Sequence, residues 1–156
     1  MAKALKSLCY QVCVFADADA DDQFSNADAD DLERLGVPVF IWADKLSLEE
    51  RVFQDLPWPS VLDSLKLAQN ELGFTVHVHV SSKVMEDLNR DMGKWQDSVS
   101  LRAAIGMAAK KYGWFKDITR GDKWFSTLSP IFASPDFSKK DTAIKLDKLW
   151  TWAANV

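Results

Sequence analysis

The sequence predicts an α/β domain: a small, mainly parallel sheet followed by a helical carboxyl-terminal region. Three observations lead there. Residues 8–15 (LCYQVCVF) are short, β-rich and almost wholly apolar, as a strand buried on both faces of a parallel sheet requires. Residues 37–42 (VPVFIW) form a second run of that kind, with Pro38 near its start, where a missing amide is tolerated. Between them Phe24, Ala27, Asp31, Leu32 and Leu35 recur at roughly helical spacing, and Gly36 stands where a left-handed cap ends a helix.

Strand, acidic loop, helix, strand is a βαβ unit, whose crossover makes the two strands parallel. Open sheets of this type carry their sites outside the carboxyl ends of the strands. Asp17, Asp19 and Asp44 all lie just past such ends. Ser47 and Glu50 have the spacing of a capping box and open a short helix. The Pro57-Trp-Pro59 break comes next, and then Trp58, Val61, Leu62, Leu65 and Leu72 mark an amphipathic helix ending at Gly73. Residues 74–80 (FTVHVHV) alternate strictly, which predicts a one-sided or edge strand with Val76, Val78 and Val80 opposite His77 and His79.

Beyond Ser81 the pattern turns helical. Val84, Met85, Leu88 and Met92 form one stripe; Leu101, Ile105, Ala108 and Tyr112 form another, closed by Gly113. A short piece around Trp124 is expected before the breakers Pro130 and Pro135. Ser138 with Asp141 is expected to cap a last helix through Leu146, Leu149, Trp150 and Ala153. No linker-like tract divides the chain, and the expected organisation is an α/β core over residues 1–80 with a helical region over 81–156 packed on it.

Composition narrows the function classes. A chain of 156 residues, 47% apolar, is of single-domain size and can bury one core. The formal net charge of -4 argues against nucleic-acid binding through a broad basic surface. It is compatible with an enzyme that holds phosphates through metal ions and a few local cations. Cys9 and Cys13, four apart on the expected first strand, are too far apart to pair and read as buried, reduced thiols. They suit a reducing, cytoplasmic location. The amino terminus has the positive start of a signal peptide, but Tyr10 and Gln11 interrupt its apolar stretch. No apolar run approaches the roughly 18 residues of a membrane span, so no membrane partner is expected. Phosphate-binding P-loop, dinucleotide-binding and nucleophile-elbow motifs are all missing.

The candidate chemistry is acidic. Asp17, Asp19, Asp21 and Asp22 crowd four carboxylates into six residues. In an extended segment Asp17, Asp19 and Asp21 project to one side, where a hard cation such as Mg²⁺ would relieve their repulsion. Asp21 and Asp22 also suit a solvated turn or helix cap. An EF-hand is disfavoured, since Asp22 stands where its loop needs Gly and Asp28 where it needs a bidentate Glu. With Ser47 and Glu50 engaged in a capping box, Glu49 is left to join a metal site. His77 and His79 lack a third zinc ligand and read as a solvated or hydrogen-bonded strand face. Lys116 follows Gly113-Trp-Phe, which suits either a cation held by an aromatic anchor or an ordinary surface lysine.

Taken in order, Ala16-Asp-Ala-Asp19, Leu46-Ser-Leu-Glu49-Glu-Arg-Val-Phe-Gln-Asp-Leu-Pro57-Trp and Gly113-Trp-Phe-Lys116 resemble the Toprim nuclease part of OLD-family ATP-dependent endonucleases. The resemblance implies a Rossmann-like Toprim core that cleaves DNA with Mg²⁺ or Mn²⁺. It implies Asp17, Asp19 and Glu49 as metal ligands, with Glu49 and Lys116 catalytic and Ser47 supporting. It also implies DNA and a P-loop ATPase domain or subunit as partners, with homo-oligomer formation left open. Residues 1–14 contain no acid to match the family's first glutamate, so a fragment or one half of a split enzyme is expected. Two other functions compete with it. One is a catalytically silent interaction module partnering an ATPase. The other is a phosphoacceptor receiver-like domain, for which Asp44 is poorly placed.

Overall fold

The computed structural model describes residues 1–17, 24–42, 44–73, 75–132 and 134–155. Among these, helix dominates, and two short strands make one small parallel sheet. The chain divides into two units, Met1–Leu48 with Asp141–Val156, and Glu49–Lys140.

The first unit opens with α1 (Ala2–Ser7), where the sequence reading places no element. Alanine, lysine and leucine are strong helix formers. The helix closes in a turn in which the Cys9 and Tyr10 amides donate to the Lys6 and Leu5 carbonyls at 3.0 and 3.2 Å. Cys9 adopts a left-handed φ of 65° there. Most of the apolar run 8–15 is therefore spent outside the sheet, with Leu8 and Tyr10 exposed. The buried cysteine pair is corrected too: Cys9 is exposed and Cys13 half-buried, both as free thiols, and burial pushes the Cys13 thiol up from its usual value.

The sheet pairs β1 (Val14–Phe15) with β2 (Val39–Phe40) in parallel, Val14 opposite Val39 and Phe15 opposite Phe40. The Val14 amide donates to the Pro38 carbonyl and the Ala16 amide to that of Phe40, extending the ladder at each end. Proline there gives up no bond, because only its carbonyl is used. The Phe15 and Trp42 rings meet edge to face, 5.3 Å between centroids. Between the strands runs α2 (Asn26–Arg34). Ser25 Oγ accepts from the Asp28 amide, and the Asp28 carboxylate accepts from the Ser25 amide, a reciprocal capping box. The Ser25 hydroxyl, which donates to the Asp28 carboxylate, and then the Ser25 amide hold that carboxyl below the usual carboxylate range. At the other end Gly36, at φ 70°, donates to Glu33 while Val37 donates to Leu32. This is the left-handed terminator expected of Gly36.

The second unit is helical: α3 (Leu48–Asp55, whose first residue belongs to the first unit), α4 (Trp58–Leu72), α5 (Val76–Val84), a 3-10 turn (Met92–Lys94), α6 (Val99–Tyr112) and α7 (Ile118–Phe132). Its core is aromatic. Phe115 stacks on Trp124 at 4.1 Å, and Phe53 lies 5.6 Å from Trp124 and 6.5 Å from Trp114. The buried Trp124 indole donates to Ser64 Oγ at 3.0 Å, and the Ser64 hydroxyl donates to the Ser60 carbonyl. A polar chain through the core is thus satisfied.

Helix α6 grips α3. Gly106 lies so close that a Cβ there would fall 2.6 Å from Glu50 Cα. Lys110 Nζ is 3.6 Å from the Glu50 carboxylate. Arg102 Nη1 donates to the carbonyls of Phe53, Gln54 and Leu56, while its other nitrogens hold Asp97. A cation is well placed at the carboxyl end of a helix, where carbonyls lack intrahelical partners.

Three expectations are corrected here. Of the expected strand 74–80, residues 76–80 belong instead to α5, in which Val76 and Val80 are buried and Val78 is 54% exposed. The 84–92 stripe is not one helix, because α5 ends at Met85 in a left-handed cap and Met92 sits in the 3-10 turn. The piece around Trp124 is a helix of 15 residues that carries Pro130 in its last turn. The carbonyl that Pro130 cannot serve, that of Ser126, accepts the Ser129 hydroxyl instead. The chain closes in α8 (Asp141–Ala154), part of the first unit, with Thr142 and Ala143 buried and Trp150 exposed. The Ser138 hydroxyl donates to the Pro135 carbonyl.

Candidate functional site

Two residues past β1, the side chain of Asp17 turns to the start of α3. Its Oδ1 accepts the Leu48 amide at 3.0 Å. The first amides of a helix have no intrahelical acceptor and carry the positive end of the helix dipole, so a carboxylate there is stabilised. This bond joins segments 31 residues apart within the first unit. It brings Asp17 onto the backbone directly after Ser47. Ser47 is buried, with 1% of its surface exposed.

Glu49 follows Leu48 in α3 and is the first residue of the second unit; it too is buried. Asp19 falls within 18–23, outside the described residues, as do Asp21 and Asp22. Asp44 is exposed, beside Lys45 at a left-handed φ of 57°.

Asp17 offers hard oxygen, the donor type that Mg²⁺ and Mn²⁺ prefer. An outer hydrogen bond that fixes the orientation of a carboxylate is what ligating carboxylates generally have. Among the described residues no three acidic, histidine or cysteine side chains form a group able to hold a metal ion.

Lys116 belongs to the second unit. Gly113, at φ 60°, ends α6, with its own amide donating to Lys110 and that of Trp114 to Ala109. Trp114 and Phe115 then enter the aromatic core and Lys116 emerges exposed. Carbons of its stem lie 3.7–3.8 Å from where a Gly113 Cβ would be. The cation is carried on a turn anchored by two buried rings.

The histidines do not share a strand face. Residues two apart on a helix point about 200° apart, so His77 and His79 of α5 cannot converge on one ion. His79 instead stacks on Tyr112, 3.7 Å between centroids, and its Nδ1 accepts the Trp114 indole N–H at 3.1 Å. The alternating VHVHV pattern hid this contact. The Leu48 amide was equally invisible beforehand, because a backbone donor has no residue signature.

Compared with protein-family models, with curated proteins and with solved structures, the chain gives no match. No helix among the described residues is long and apolar enough to cross a membrane.

Proposed function

We propose that this chain is a divalent-metal-dependent DNA endonuclease module of the Toprim type found in OLD-family enzymes, built on a Rossmann-like core that begins with β1, α2 and β2. The observation that carries the reading is the Asp17 carboxylate, at the carboxyl end of a parallel strand, held by the first amide of α3, the helix that follows Ser47. Asp17, Asp19 and Glu49 are the proposed ligands, and bound Mg²⁺ or Mn²⁺ supplies Lewis acidity and an activated water at the scissile phosphate. The Leu48 amide keeps Asp17 from swinging into solvent. Ser47 supports the acidic residues from its buried position. Lys116 offsets charge growing on the phosphate oxygens. In an acidic chain, DNA binding rests on such local cations and on the metal instead of a general positive field.

The test is nicking of supercoiled plasmid with Mn²⁺, with and without an added P-loop ATPase. Asp19→Ala is expected to abolish nicking; undiminished cleavage by that variant overturns the proposal. A silent interaction module partnering an ATPase is the second reading. It predicts no cleavage by the wild type at any metal concentration, together with a stable complex with an ATPase.

A further inference from the structure

We propose that His79, in its neutral form, is a positioning residue that latches the turn 113–116 to α5, and that the turn loosens when His79 takes up a proton. The bearing of this latch on phosphate neutralisation by Lys116 rests on the function proposed above; the latch itself does not.

The Trp114 indole is a donor only, so its 3.1 Å bond to Nδ1 requires that nitrogen to be unprotonated and the imidazole proton to sit on Nε2. Protonation would point an Nδ1–H at the indole N–H and break the bond. The Trp114 indole is buried, and among the described residues His79 is its hydrogen-bond partner. The same imidazole lies flat on Tyr112, the last residue of α6, with 8° between the ring planes. Tyr112 Oη and Ser82 Oγ of α5 share a hydrogen bond at 3.4 Å. His79 thus holds both sides of Gly113, the tyrosine before it and the tryptophan after it.

The charged groups on the neighbouring helices are engaged elsewhere. On α6, which packs against α5, Arg102 and Lys110 are paired with Asp97 and Glu50, and Lys111 places its ammonium 5.4 Å from the Tyr112 ring. On α5 itself Lys83 acts on the same tyrosine. The acids of α4, the other helix packed on α5, are engaged elsewhere, Asp63 with Lys66 and Glu71 with Lys123. Burial alone already pushes the imidazole below its usual value. The sign follows. The folded state binds the proton less tightly than the unfolded state, so the latch is fully made above the ordinary histidine value of about 6.5 and is lost as pH falls below it.

The experiment is a pH titration of the full chain by nuclear magnetic resonance, from about pH 8 to about pH 5. It follows the Trp114 indole N–H, assigned with Trp114→Phe, and the Lys116 backbone amide. Both resonances are expected to move together with the His79 ring, at a midpoint below about 6.5. In His79→Asn, whose side-chain oxygen can still accept the indole, both are expected to stay put across that range. In His79→Phe, which keeps a ring but has no acceptor, the indole is expected to resemble the acid form at every pH. The latch is overturned if the His79 ring titrates while Trp114 and Lys116 do not respond. It is equally overturned if the asparagine variant shows the wild-type pH response. Neither DNA nor metal is needed, so failure of the nuclease proposal and failure of the latch are separate results.

Discussion

At the scale of single residues, the account depends on a few backbone groups that side chains seek out. Asp17 is placed by the Leu48 amide, and α3, which carries Glu49, is placed by Gly106, where a methyl group would strike Glu50 Cα. Gly106→Ala gains intrinsic helix propensity, about 1 kcal/mol, yet forces apart two packed backbones. Overpacking of this kind costs about 1–3 kcal/mol, so the net effect expected in urea denaturation is destabilisation. An unchanged or raised midpoint would show that α3 and α6 are not in such close contact. Gly106 was not legible in the sequence, because a glycine inside a helical pattern does not say what approaches it. Gly36 was legible, since a glycine directly after an apolar helical stripe has one common use. The Asp-x-Asp and Ser-x-Glu motifs could be read as candidate chemistry, whereas the bond from the Leu48 amide to Asp17 could not be read at all.

At the scale of elements, α5 separates local preference from tertiary demand. Valine favours strands by no more than about 1 kcal/mol, and strict alternation predicted that Val76, Val78 and Val80 would share one face. The helical second unit instead buries positions four apart, Val76 and Val80, and turns Val78 outward. Val80→Ala is therefore expected to cost about 2 kcal/mol of stability, and Val78→Ala very little. Equal losses at the two positions in chemical denaturation would restore the strand. The β1–α2–β2 order was readable from two apolar runs flanking a helical stripe that Gly36 closes, while the Ser25 cap at the start of α2 was not read. The first strand was overextended on apolar content alone. Residues 2–7 are helix formers, and the helix they make uses up the following residues in its closing turn.

At the scale of the whole molecule, the sequence led correctly to a chain that combines helices with a small parallel sheet. The predominance of helix was harder to foresee, because the second unit packs around tryptophan and phenylalanine side chains that suit strands and helices alike. Each unit contributes something different to the proposed activity. The first carries Asp17 at a strand end, and the second carries Lys116 on a turn pinned by Trp114 and Phe115. A net charge of -4 makes the metal the means by which such a chain would approach a phosphate backbone. The most direct test of that central claim is calorimetric titration of Mn²⁺ into the wild-type chain and into the Asp17→Asn, Asp19→Asn double variant. The account predicts saturable binding by the wild type that disappears in the double variant. Equal binding by both, or none by the wild type, would contradict it.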